Sequence, residues 1–228
     1  MSDNIHNGHR ERLKDKYRRF GLDGFTDVEA IELLLFYAIP RRDTNELAHV
    51  LLREFKTLRG VLEADLEQLS AVPGLGMNAA LLIKLVTGID NRYHTSENKR
   101  GTIVRSSNEA GIFLLPYFSY RNEECCMLLC LDSGGKVLNC HRLSNGSPNM
   151  VGVDSREVTA LVLRDKASRV ILAHNHVSGV ALPSGSDRET TARLYRLLRM
   201  IGVELEDHLI ICDGDFVSMR DSGFFAQF

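Results

Sequence analysis

The residues best suited to chemistry in this 228-residue chain lie in the segment AHNHVSGVALPSGSD, residues 173–187. His174 and His176 stand two apart, directly after the apolar run 170–173. If extended geometry carries through them, a side-chain period of two puts both imidazoles on one face. Asp187 follows eleven residues after His176, at the start of a predicted helix. Gly179, Pro183 and Gly185 let the intervening loop fold that helix start back toward the strand end. Two nitrogens and one carboxylate oxygen form a donor set that Zn2+ takes readily, and three protein ligands leave a fourth tetrahedral position for water. An open position marks a catalytic zinc, and no cysteine stands nearby to close it.

Water activated in this way needs a base to take its proton. Glu124, just before the apolar run 125–131, and Glu157, at the start of a predicted helix over 154–163, are the candidates. Ser184 is the candidate donor to a developing oxyanion. Simpler readings exist for each part. A His-x-His pair at a strand end is common in ordinary surfaces and cores, and Ser184-Gly-Ser-Asp187 is also a capping box. The joint pattern H-x-H-x7-S-x2-D favours the metal.

The elements that must position these groups change character along the chain. The first 90 residues read as helical throughout. Thr26 with Glu29 forms a capping box ahead of an apolar stretch ending at Pro40. A second helix starts near Thr44, with Leu47, Val50, Leu51 and Phe55 on one face. Shorter helices follow over 58–62 and 65–72, then Val72-Pro73-Gly74-Leu75-Gly76, then a helix from Ala79. Residues 91–99 are polar and suit a linker. Beyond it strands alternate with helices: helix 108–117, a hairpin of 125–131 and 136–143 around Asp132-Ser133-Gly134-Gly135, helix 154–163, strand 169–173, helix 187–200, and strands 203–212 and 216–219. Continuous apolar character marks 169–173 as a central strand. The fold class expected is α+β, a small helical domain over residues 1–90 followed by an α/β domain over 101–228.

Composition bounds the setting. The chain is 44% hydrophobic and 25% charged, with a formal net charge of −2, so it is no obvious polyanion binder as a whole. No apolar run is long enough to span a bilayer, and the first residues carry no signal-peptide pattern, so no membrane partner and a cytoplasmic location are expected. Cys125, Cys126, Cys130, Cys140 and Cys212 form no CxxC pair and read as buried, reduced thiols.

The pattern H-x-H-x7-S-x2-D resembles the signature of JAMM (MPN-type) zinc metalloproteases. More closely, His174-Asn175-His176 with Ser178-Gly179 and Pro183-Ser184 is similar to the core of the bacterial RadC-like (UPF0758) proteins. The similarity extends to Arg156-Glu157-Val158, Gly202-Val203-Glu204-Leu205 and Asp207-His208. It also covers Glu11-Arg12-Leu13, Asp27 to Leu35, and Ile83-Lys84 in the first half. The resemblance implies a mixed sheet flanked by helices, with zinc on His174, His176 and Asp187. It points to Glu124 as the catalytic glutamate, ahead of Glu157 and Glu123, and gives Asp207 and His208 a supporting or merely structural place beside the ligands. The chain departs from the pattern at Val177 and at Val180-Ala181, in the loop beside the metal.

Gly74 and Gly76, opening a helix, resemble a helix-hairpin-helix element whose backbone N–H groups can approach a phosphate. Lys84 and the basic run 10–19, with an excess of +4, would add charge. Glycines that serve only close packing explain the same pattern, and Glu63, Asp65 and Glu67 are acidic neighbours. Two functions follow: a zinc-dependent hydrolase acting on a peptide or isopeptide bond of an unknown protein, or a DNA-associated repair protein whose metal domain is structural. The oligomeric state is not set by the sequence.

Overall fold

The computed structural model describes residues 3–97, 101–120, 123–143, 153–177 and 180–227. The chain separates into two compact units, Met1–Asp90 and Asn91–Phe228. Among the described residues no helix is long and apolar enough to cross a membrane, and the cysteines form no disulfide.

The first unit is helical: α1 (Asp3–Phe20), α2 (Asp27–Ala38), α3 (Asn45–Phe55), α4 (Leu58–Glu63), α5 (Leu66–Ala71) and the start of α6 (Gly76–Glu97). The capping box at Thr26 and Glu29 forms as the sequence predicts. Ile31, Leu35, Leu47, Leu51, Leu69 and Ile83 are buried together in one core. Lys84 directly follows Ile83 and donates to the carbonyls of Leu62 (3.3 Å), Glu63 (3.4 Å) and Ala64 (2.9 Å) at the end of α4. An ammonium there satisfies orphan carbonyls and complements the helix dipole.

The polar run expected to be a linker instead continues α6 as far as Glu97. Polarity alone does not end a helix. No Gly or Pro interrupts residues 91–97, and Thr95 Oγ1 folds back onto the Asn91 carbonyl at 2.8 Å, a bond compatible with helical backbone.

The second unit is built on a mixed sheet of β1 (Cys126–Leu131), β2 (Val137–Arg142), β3 (Arg169–Asn175), β4 (Glu204–Cys212) and β5 (Asp215–Ser218), in the order β2-β1-β3-β4-β5. Only β3 and β4 run parallel, and α9 (Gly185–Met200) lies between them in sequence. One face packs Cys126, Leu128, Cys130, Val170 and Leu172 with Val158 and Val162 of α8 (Ser155–Asp165) and Leu194 and Leu198 of α9. The other packs Met127, Leu129, Ile171, Ala173 and Leu209 with Ala110, Phe113 and Leu114 of α7 (Ser107–Leu114). Strand β3 is buried from Val170 to Asn175, the central strand its apolar run predicts. The α+β expectation holds, a helical first part followed by a helix-flanked mixed sheet.

The parallel ladder is irregular at one point. Val170 of β3 pairs with Leu205 but Ile171 pairs with Asp207, so β4 carries one extra residue, Glu206. A bulge of this kind flips the alternation of everything after it. Leu205 belongs to the core under α8 and α9, whereas Leu209 and Ile211 belong to the core under α7. His208 therefore points to the α8–α9 face and Asp207 to the other.

Candidate metal centre

His174 lies near the end of β3 and His176 just past it, both on the α8–α9 face, and Asp187 sits in the first turn of α9 above them. His174 Nε2 lies 2.9 Å from His176 Nε2 and 3.2 Å from Asp187 Oδ1. His176 Nε2 lies 3.5 Å from Asp187 Oδ2. Metal–nitrogen and metal–oxygen bonds of about 2.0–2.2 Å in a tetrahedral site put ligand atoms roughly 3.3–3.5 Å apart. The two edges to the carboxylate, 3.2 and 3.5 Å, bracket that figure, and the edge between the histidines, 2.9 Å, is shorter than it. His174 and Asp187 are each about 1% exposed, while His176 keeps 19% of its side chain open, so solvent reaches the cluster from the His176 side.

The protons of this cluster can be assigned one bond at a time. Thr191 Oγ1 is 2.6 Å from the Asp187 carbonyl, one turn back along α9. Two oxygens approach so closely only with a proton between them, so the hydroxyl donates there. It must then accept from His208 Nδ1, also at 2.6 Å. The other ring nitrogen of His208 is left bare, and His174 Nδ1–H donates to it at 2.9 Å. That leaves the lone pair of His174 Nε2 aimed at the cluster. A neutral His208 agrees with its surroundings: complete burial, then the neighbouring His174, push its pKa well below the ordinary value. His176 is oriented by its backbone, which donates to the Ile211 carbonyl at 2.8 Å, and by Nδ1 facing the Val180 carbonyl at 3.4 Å. Two imidazole lone pairs and a carboxylate thus converge on one point, an arrangement that a cation relieves.

Asp187 and Ser184 form the capping box that the sequence offered as the simpler reading. Both readings hold at once. Ser184 N–H donates to Asp187 Oδ2 at 2.6 Å and Ser184 Oγ accepts from Asp187 N–H at 3.2 Å, so the cap fixes the carboxylate that faces the histidines. Burial opposes the Asp187 charge, but the neighbouring His174 and the hydrogen bonds from Ser184 outweigh it and hold the carboxyl well below the usual range.

Asn175 has no place in the sequence-based site, yet it joins the two edges. Its side chain lies between the two histidines in sequence and on the opposite face of β3. Asn175 Oδ1 accepts from Cys125 N–H at 2.7 Å and Nδ2 donates to the Glu123 carbonyl at 3.1 Å. Glu124 is bracketed by these bonds. Alternation from Cys126, which faces α8 and α9, puts Glu124 on the histidine face and Glu123 on the other. Glu124 is half-buried and Glu123 exposed. Glu157, in the first turn of α8, is also half-buried and lies close to the same corner. After burial and Cys125, the charges of Asp187 and Glu157 help push the Cys126 thiol up.

The remaining sequence candidates fall elsewhere. Asp207 Oδ2 accepts from Ser218 Oγ at 2.5 Å and Oδ1 from Arg220 N–H at 2.9 Å, so it ties β4 to the end of β5 and the chain just after it. Burial raises its pKa despite those bonds. Gly74 and Gly76 take φ of +87° and +71° in the turn between α5 and α6, a conformation that itself calls for glycine. A Cβ on Gly74 would come within 2.5 Å of Arg42 Nη2. Four of the six basic groups of residues 10–19 have partners: Lys14 with Glu11, Lys16 with Glu29, Arg18 with Asp15, and Arg10 with the carbonyls of Ile39 and Pro40. Val177, Val180 and Leu182 are exposed. Ser178 and Gly179 lie outside the described residues.

Residues 104–224 match the RadC-like JAB domain. The UPF0758 protein FN0909 of Fusobacterium nucleatum is 34% identical over 98% of this chain and 99% of its own length. The UPF0758 protein YsxA of Bacillus subtilis is 31% identical over 94% of this chain and 93% of its own. Likeness over both the helical half and the metal-site half goes beyond a shared motif, and the chain belongs to the RadC-like JAB family of UPF0758 proteins.

Proposed function

We propose that this chain is a zinc-dependent hydrolase of amide or isopeptide bonds, with His174, His176 and Asp187 as the ligands. The observation that carries the reading is the convergence of three donor atoms whose tautomers and orientation are held from behind by His208, Thr191 and Ser184. When bound, zinc supplies Lewis acidity, acidifying a water and polarising the scissile carbonyl. Glu124 takes the proton of the attacking water and returns it to the leaving amine. The Asn175 bonds hold the backbone on either side of Glu124, whose side chain alternation directs to the histidine face. Ser184 Oγ accepts from Asp187 N–H, and its hydroxyl is the candidate donor to the developing oxyanion. A cleft of about 590 Å3 lined by Leu182, Pro183, Arg188, Met219 and Phe224 adjoins the loop that leads to the cluster. It suits an apolar substrate side chain. Five cysteines outside any disulfide fit a reducing, cytoplasmic setting.

Glu124→Gln tests the assignment. Turnover of a fluorogenic peptide library or of lysine-linked isopeptides should fall about 100- to 10,000-fold, with zinc content by elemental analysis unchanged. Full activity in Glu124→Gln would transfer the base to Glu157. A zinc-loaded wild-type protein that releases no amine from any of these substrates would end the hydrolase reading.

The DNA-associated reading rests on the positive-φ glycines at the start of α6 with Arg42 beside Gly74. Lys84 contributes little to it, because its ammonium is engaged with three carbonyls. Arg42→Ala should reduce the salt slope of DNA binding by about one, and an unchanged slope would remove the hairpin as the contact.

A further inference from the structure

A second cluster of donors occupies the other end of the α8 face. Cys130 of β1, His141 of β2 and Asp165 at the last residue of α8 present one thiol, one imidazole nitrogen and one carboxylate oxygen, all within 4.8 Å of one another. The β1–β2 ladder brings them to one face: Leu128 pairs with His141 and Cys130 with Asn139, and the register shift at Leu131 and Val137 sets that alignment. Cys130 is fully buried, and the side chains of His141 and Asp165 are only 14% and 9% exposed. His141 Nε2 already faces Asp165 Oδ2.

We infer that Cys130, His141 and Asp165 form a second metal site, for a divalent cation of borderline softness such as Zn2+ or Co2+. A thiolate, an imidazole and a carboxylate together suit that class and not Mg2+ or Ca2+. Asp165 stands at a helix C-terminus, where the dipole disfavours a carboxylate and favours positive charge. A dication bound here would favour thiolate and carboxylate at the same time, releasing the thiol proton and any proton on the imidazole as it binds. Arg164, at 3.3 Å and 3.4 Å from the ring nitrogens of His141, also pairs through Nε with Asp165 Oδ1 at 3.4 Å; its side chain is 60% exposed, and the dication takes its place beside the carboxylate. Asn139 Nδ2 donates to Asp165 Oδ1 at 3.5 Å, orienting the carboxylate, and three protein ligands leave a fourth position for water.

Cobalt distinguishes this site from the first, which has no sulfur ligand. Metal-free full-length protein titrated with Co2+ should take up roughly two equivalents, one of them with a sulfur-to-cobalt charge-transfer band in the near ultraviolet. Cys130→Ser should abolish the band and lower the stoichiometry by one, and His174→Ala should leave the band intact. Because Cys130 is in the core, His141→Gln provides a milder variant, expected to weaken the banded site at least about tenfold. A folded wild-type protein that binds cobalt without the band, or a band that survives Cys130→Ser, would overturn the second site. Either result leaves the hydrolase reading untouched.

Discussion

His174 can ligate through Nε2 only if its proton sits on Nδ1, and that depends on a threonine two residues removed in the hydrogen-bond chain. Thr191→Val keeps the shape but removes the acceptor of His208 Nδ1–H, freeing His208 to turn its proton toward His174. Metal affinity, measured by competition with a chelator, is expected to drop about 10- to 100-fold with little change in fold by circular dichroism. Unaltered affinity would mean the tautomer is set elsewhere. At this scale the sequence is partly legible. His174, His176 and Asp187 can be named from residue type and spacing because their order follows a strand, a loop and a helix start. Asn175 carries a weaker signal, a polar residue on the buried face between two histidines. Thr191 carries almost none: one turn after Asp187 is an ordinary place for a helical threonine, and its contact with His208 crosses from helix to sheet.

The capping box at the start of α9 makes an element's end part of the site. Ser184→Ala removes the bond to Asp187 N–H, a loss of about 1 kcal/mol in stability, and the same variant should bind metal more weakly because the carboxylate loses part of its brace. Chemical denaturation and metal titration together check this; a stability loss with unchanged affinity would separate the cap from the ligand. Asn175→Ala should cost more, roughly 1–3 kcal/mol, because it removes two side-chain hydrogen bonds at a buried position, to Cys125 N–H and to the Glu123 carbonyl. It should also release Glu124 from the strand edge, lowering kcat without loss of metal. Helix and strand existence is readable from periodicity and turn residues, including the hairpin at Asp132–Gly135. The exception is the polar run after residue 90, where hydrophilic composition suggests a linker while the absence of breakers lets α6 continue. Lys84 shows the opposite limit: a charge that looks available to a phosphate is engaged by the end of α4, a contact 20 residues away in sequence.

For the second unit, a buried neutral histidine links stability to pH. The pKa of His208 is lowered on folding, so below the unfolded value of about 6.5 the unfolded chain binds the extra proton and the fold does not. Stability of the metal-free protein is therefore full above that pH and falls as acid is added through it. The depressed Asp187 adds a further loss in the same direction below about pH 4. Denaturation midpoints between about pH 7 and pH 4 should show this slope, and His208→Gln should flatten its upper part. Zinc at about 100 times its Kd should raise stability by about 2.7 kcal/mol, an increment removed by chelation. Amino-acid order alone determined that this chain has a helical part and a sheet part, and which three side chains were fit to hold a metal, because local periodicity and ligand chemistry are written in sequence. Which histidine stands behind them was decided only by the tertiary fold. One extra residue in β4 turns His208 toward His174, and a register between strands about thirty residues apart has no local signature.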